Sequence, residues 1–208
     1  MRFFHPLNKI INSEPKVRIL RFLAETGTEI SGLQLAKLLK LSPTTVHKAM
    51  QELMAEKVVR MRAMGRAHSF RLDQDNLVVA KILCPMFQSE KGILPDLKEE
   101  LGRTIRKSSL KNEILSVVLF GSIHEKSEGP GSDIDLFVVV KSAASVQLVE
   151  GMFSEIGAAL IGRIGMVVSP FVISLDAFRK KNKAGASVVK AVVNSHDVIF
   201  GKSLGRLL

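Results

Sequence analysis

Cysteine occurs once, at Cys84, in an apolar stretch with no histidine partner to mark it as a nucleophile. One thiol excludes a disulfide framework within the chain and fits a reducing compartment. No uninterrupted apolar run approaches the roughly 18 residues of a membrane span. The opening MRFFHPLNKII has only a short apolar stretch and no small-residue cleavage site, so no secretion signal is expected. His5, His68 and His196 are isolated, with no cysteine or acid cluster at zinc spacing. Internal repeats and low-complexity tracts are absent. These absences lead to the expectation of a soluble cytoplasmic protein that does not contact a membrane.

What is present is unevenly distributed. The net charge is +10. Residues 1–72 hold 13 Lys/Arg against 5 Asp/Glu, whereas residues 73–115 hold 7 against 7 and residues 116–208 hold 10 against 8. A basic first third joined to a nearly neutral remainder points to a polyanion-facing module and a separate second module.

Residues 14–26, EPKVRILRFLAET, carry Val17, Leu20, Leu23 and Ala24 at helical spacing, with Pro15 suited to the first turn and Gly27 to the C-cap. SGLQLAKLLK follows with Leu35, Ala36 and Leu39 behind a Ser31 cap. LSPTTVHKAMQELMAEKVV then offers Ser42 as N-cap, Pro43 at N1, and Val46, Met50 and Leu53 inward. Residues 58–72 alternate around Met64-Gly65 as a hairpin. Three helices and a basic hairpin make the order of a winged helix-turn-helix. Its reading helix would present Thr44, Thr45, His47, Lys48 and Gln51 to base edges or phosphates, and the hairpin would add Arg60, Arg62, Arg66, His68 and Arg71. Residues 14–72 resemble the winged helix domains of bacterial and archaeal transcription regulators, which implies double-stranded DNA as partner and a homodimer reading paired half-sites. Lys57 stands where many such domains have Gly.

Residues 73–78, DQDNLV, read as a turn-rich domain boundary, and residues 79–109 as largely helical, interrupted near Gly92–Pro95. From Ile114 the texture becomes α/β. ILSVVLF, DLFVVV and GMVVSPFVIS fit buried strands, with helical spacing between them and a last short strand at DVIFG. The expected class is α/β (α+β). A winged helix domain would occupy residues 1–73, a helical connector 74–113 and a small mixed-sheet domain 114–208.

Within FGSIHEKSEGPGSDIDLFVVV, Asp133 and Asp135 are two apart, so a strand directs both to one face. Two carboxylates so close raise one another's pKa unless a cation sits between them, and carboxylate oxygens are what Mg²⁺ prefers. Gly121 lets the backbone approach a phosphate, and Ser122 with the following turn can offer a hydroxyl and N–H groups. Gly121, Ser122, Ser132, Asp133 and Asp135 resemble the signature of the DNA polymerase beta-type nucleotidyltransferase superfamily, in particular its minimal members. The resemblance implies Mg²⁺ or Mn²⁺ held by Asp133 and Asp135 as catalytic acids, with ATP or another nucleoside triphosphate bound by Gly121, Ser122 and Ser132.

Relatives that transfer nucleotides carry a third carboxylate on the strand after the next helix. That strand here, residues 165–174, has no Asp or Glu; Ser169 and Phe171 fall where it would be, with Glu155 and Asp176 on the flanking helices. Where relatives show a small residue, Arg and Gly after the Ser, this chain has IHEKSEG, leaving His124 or Lys126 as substitutes. RKKNK, residues 179–183, reads as a solvated helix end or a polyanion contact.

Three functions stay open. The favoured one is a DNA-binding transcriptional regulator that binds Mg-nucleotide with reduced transfer. The second is an active nucleotidyltransferase that modifies a protein, RNA or small molecule, as antitoxin members do. The third is an interaction protein with a vestigial site.

Overall fold

The structure is a computed structural model and describes residues 4–64 and 67–208. The chain forms two compact units, Met1–Leu94 and Pro95–Leu208.

The first unit opens with α1 (Leu7–Ile10) and α2 (Glu14–Thr26), which ends on Gly27 in the left-handed region at φ 60°. Next come β1 (Ile30–Ser31) and α3 (Gly32–Leu38), where Ser31 and Gln34 form a reciprocal capping box. In α4 (Pro43–Ala55), the Ser42 hydroxyl accepts from the Thr45 amide and Pro43 opens the helix. β2 (Val59–Met64) and β3 (Ala67–Leu72) pair antiparallel, and β1 adds to β3, giving the order β1-β3-β2. The Gly65 turn and Arg66 lie outside the described residues.

Leu20, Leu23, Leu35, Val46, Met50 and Leu53 are all buried in one core, as their spacing predicts. Val17 and Ala24 are only half-buried; Ile19 and Lys16 turn inward instead. Lys16 is buried without being unsatisfied. Its Nζ donates to Lys9 O at 2.8 Å and Asn12 Oδ1 at 2.9 Å, and it lies 2.5 Å from Glu52. One ammonium thereby ties α1, α2 and α4 together, and Glu52 is held below the usual carboxylate range by its hydrogen bond from Lys16.

Residues 73–78 fall within the first unit. Asn76 donates to Lys57 O at 2.8 Å and accepts from the Val78 amide at 2.9 Å, so this turn is fixed to the first unit. A single π-turn at Val79–Leu83 leads into α5 (Cys84–Lys107), which runs unbroken through Pro95. The segment expected as a connector is divided instead. Val78, Val79, Leu83 and Phe87 complete the first core, while Leu101 and Ile105 are buried in the second unit.

A 3₁₀ turn at Ser109–Asn112 enters β4 (Ile114–Leu119), then α6 (Gly121–His124), β5 (Ile134–Val140), α7 (Ala144–Ile164) and β6 (Val168–Ser174). The chain continues through α8 (Leu175–Lys183), α9 (Ser187–Asn194) and β7 (Asp197–Gly201). The sheet order is β6-β5-β4-β7, with β5 and β6 parallel and the other pairs antiparallel, hence mixed. Val118, Phe137, Val139 and Ile173 pack with Phe178 of α8 and with Val189 and Val192 of α9.

Although its apolar runs are short, α7 is, among the described residues, the one helix long and apolar enough by length and composition to cross a membrane. In this fold it buries Ser145, Val149, Phe153 and Leu160.

Candidate functional site

Two regions hold the candidate residues. In the first unit, α4 exposes Thr44, His47, Lys48 and Gln51. These positions recur at i, i+3, i+4 and i+7, so they form one polar stripe opposite Val46, Met50 and Leu53. Thr45 is half-buried and serves the helix start, its hydroxyl 2.7 Å from Ser42 Oγ. A groove of about 550 Å³ runs beside this stripe, lined by Leu33, Thr44, His47, Met50, His68 and Phe70 among others.

On the hairpin, Arg62 is 78% exposed, with Glu29 at 3.9 Å. Arg60 is engaged by Asp73 at 2.8 Å and Asp75 at 2.9 Å, so it braces the wing. His68 and Arg71 are exposed. Arg66 falls outside the described residues.

The second region lies at one end of the four-stranded sheet, where β5 begins. Asp133 precedes β5 and Asp135 lies on it. Phe120 donates its amide to Asp135 O at 3.1 Å, and the chain turns at Gly121 with φ 72°. A Cβ at Gly121 would collide with the Asp135 carboxylate, so only glycine admits the backbone this close. Ser122 and Ser132 are half-buried and shape the loop between. Ser122 O accepts from the Ser127 amide at 2.9 Å, and Ser132 Oγ accepts from the Gly129 amide at 2.9 Å. Gly121 and Asp135 therefore meet, while Ser122 and Ser132 bond within the loop between them.

Burial pushes the Asp135 carboxyl above its ordinary range, and the neighbouring Asp133 charge adds to this. Asp135 stands in register with Ser169 on β6, and Ser169 Oγ donates to Asp133 Oδ2 at 2.9 Å. A hydroxyl thus occupies one of the strand positions, 169 and 171, where a third carboxylate would stand. No group of three His, Cys, Asp or Glu that could hold a metal occurs among the described residues. Asp176 is exposed in the first turn of α8, and Glu155 lines a different groove with Glu100 and Arg163.

The donor set still fits a divalent cation. A close pair of acids, one held high by burial and by its neighbour's charge, is relieved by a cation, and Mg²⁺ binds through one or two carboxylates together with phosphates. The glycine-only approach at Gly121 leaves backbone beside the pair.

His124, offered by the sequence as a substitute basic contact, meets Ser195 and Asp197. Its Nε2 is 2.9 Å from Ser195 Oγ and its Nδ1 is 3.5 Å from Asp197 Oδ2. Lys98 of α5 donates to the same Asp197 oxygen at 2.9 Å. No sequence signal joins these residues, which come from α5, α6, the C-cap of α9 and the start of β7. Lys126 adopts a left-handed φ of 57° and is exposed. In RKKNK, Lys181 lies 5.3 Å from the centroid of the Phe171 ring, which stacks on Phe137.

Residues 103–203 match the family described as polymerase beta, nucleotidyltransferase, and residues 14–60 match winged helix-turn-helix DNA-binding. No curated protein matches the chain. Among solved structures, the chain is similar to the homodimeric winged helix-turn-helix domain of Mb0332 from Mycobacterium bovis, a possible ArsR-family regulator. That match has 21% identity and a TM-score of 0.36, over 43% of this chain and 79% of that one. It is also similar to MepR, a transcription regulator of the Staphylococcus aureus efflux pump MepA. There the identity is 16% and the TM-score 0.36, over 48% and 76% of the two chains.

Proposed function

We propose that this chain, which joins a winged helix-turn-helix domain to a nucleotidyltransferase domain, is a DNA-binding regulator that holds a Mg-nucleoside triphosphate and transfers from it slowly or not at all. The observation that carries the reading is the Asp133–Asp135 pair with Ser169 as its strand neighbour. A costly acid pair is kept, while the place of a third acid is taken by a hydroxyl bonded to Asp133.

In this reading Asp133 and Asp135 hold Mg²⁺ or Mn²⁺, and the ion neutralises phosphate charge when bound. The Gly121–Ser122 turn offers backbone and hydroxyl groups to the phosphates, and Ser132 sets the loop that delivers Asp133 to the site. Losing a base at position 169 costs transfer roughly 10²–10⁴-fold without removing the ligands for binding. ATP serves as the working nucleotide.

For DNA, Thr44, His47, Lys48 and Gln51 enter the major groove, and Arg62 and Arg66 meet the backbone beside it. The excess of positive charge in the first 72 residues supports this. A homodimer reading two half-sites is the expected assembly.

The test is incubation of the full chain with α-labelled ATP and Mg²⁺ or Mn²⁺, with cell extract as the acceptor pool. Nucleotide retained by wild type and lost in the Asp133→Asn, Asp135→Asn double variant is expected. Rapid label transfer to a protein or RNA would replace this reading with an active transferase. Neither retention nor transfer would leave an interaction protein with a vestigial site.

A further inference from the structure

We propose that Ser195 is an activated hydroxyl, with His124 as its general base and Asp197 orienting His124, and that it accepts phosphorus from the bound nucleoside triphosphate, so that the chain modifies itself. The last clause rests on the nucleotide reading above; the activated hydroxyl does not.

Ser195 is exposed and stands at the C-cap of α9 in extended backbone. His124 Nε2 lies 2.9 Å from its Oγ. The other ring nitrogen, Nδ1, is fully buried and makes no hydrogen bond, with Asp197 Oδ2 at 3.5 Å. With its proton on Nδ1, toward the Asp197 carboxylate, the ring would direct the Nε2 lone pair at the serine hydroxyl. That tautomer is the one a general base requires. Lys98 shares the Asp197 oxygen at 2.9 Å, and its hydrogen bond, with a smaller contribution from His124, holds Asp197 below its ordinary range. Asp197 therefore remains ionised and oriented at neutral pH.

The sheet places this row beside the candidate phosphate turn. Asp197 pairs with Leu119 at the end of β4, the next amide reaches Asp135 O, and His124 follows Gly121 by three residues within α6. α9, which delivers Ser195, packs on the sheet face that carries Phe137, two residues beyond Asp135 on the same face. Two strand spacings, about 10 Å, separate β5 from β7.

In the step, Ser195 Oγ forms a bond to phosphorus as the P–O bond to the departing phosphate group breaks. The departing oxygen takes the electron pair, and the hydroxyl proton passes to His124 Nε2.

The experiment incubates the full chain with Mg²⁺ and ATP labelled at either the α- or the γ-phosphorus, and maps the modified residue in wild type by peptide mass spectrometry. Label at Ser195 is expected, lost in Ser195→Ala and slowed at least about 10²-fold in His124→Gln. Transfer of the α-label means a nucleotidyl group and of the γ-label a phosphoryl group; both support the step. In parallel, a fluorophosphonate probe without nucleotide should react at Ser195 and slow in His124→Gln. A probe that reacts while ATP leaves no label, although nucleotide is retained, overturns the self-modification. No reaction with the probe, or equal labelling in Ser195→Ala, overturns the activated hydroxyl itself.

Discussion

Ser169 Oγ on β6 donates a 2.9 Å hydrogen bond to Oδ2 of Asp133, which stands just before β5, across 36 residues of sequence. The hydroxyl fixes the direction of that carboxylate, as partners of metal-binding carboxylates do. Ser169→Ala should therefore weaken Mg²⁺-dependent nucleotide retention roughly 10-fold while leaving the thermal midpoint nearly unchanged. Ser169→Asp should speed label transfer to an added acceptor by roughly 10²–10⁴-fold. Equilibrium dialysis checks the first and a transfer assay the second. An unchanged affinity in Ser169→Ala would remove the orienting role.

Asp135 carries its proton to higher pH in the folded protein than in the unfolded chain, through burial first and Asp133 second. The unfolded chain loses that proton first as pH rises. Asp135 therefore makes stability fall from the unfolded pKa up to the raised folded one, and the loss persists above it. Asp135→Asn should raise the stability of the nucleotide-free protein at neutral pH by roughly 1 kcal/mol or less, and abolish Mg²⁺-dependent binding. Saturating Mg-nucleotide should reverse the stability order. Thermal melts with and without ligand, taken across the acid range, check this.

The exposed stripe on α4 and the braced Arg60 make different predictions for DNA. Lys48→Ala should weaken binding across sequences and reduce the salt slope by about one unit. Arg60→Ala removes a side chain already held by Asp73 and Asp75, so its salt slope should change less. Binding isotherms at several salt concentrations separate the two. An unchanged slope for Lys48→Ala would displace α4 from the groove.

Lys57 occupies the left-handed region at φ 59° at the end of α4, where its amide bonds Met54 O and the Val58 amide bonds Leu53 O. A side chain there costs about 1–2 kcal/mol, and glycine returns part of that gain as unfolded-chain entropy. Lys57→Gly should stabilise the first unit by about 0.5–1 kcal/mol, read from the denaturation midpoint. Asn76 still donates to the Lys57 carbonyl, so the wing keeps its anchor.

What could be read from the sequence was local. Ser42 and Pro43 announce the start of α4, Gly27 the end of α2, and Gly121, Asp133 and Asp135 a turn and a strand that must face one another. Each of these acts within a few residues or through a fixed period. What could not be read joins distant positions. Lys98 and Asp197 are 99 residues apart, and nothing in either neighbourhood marks the other. Lys16 sits at a position that charge assigns to the surface, and only the fold brings it three partners. The division at Leu94 and Pro95 is hidden because α5 is one continuous amphipathic helix that supplies apolar residues to both units. The expected boundary at 73–78 has the right composition, but Asn76 converts it into a tie.

The central claim is that Asp133 and Asp135 hold a metal–nucleotide in a protein that also binds DNA. Equilibrium dialysis of the full chain with labelled ATP, with and without Mg²⁺, tests it most directly, with the Asp133→Asn, Asp135→Asn variant alongside. The account predicts saturable binding that requires Mg²⁺ and disappears in the variant, while the variant still binds DNA. Equal binding by wild type and variant, or none by wild type at millimolar nucleotide, would contradict it.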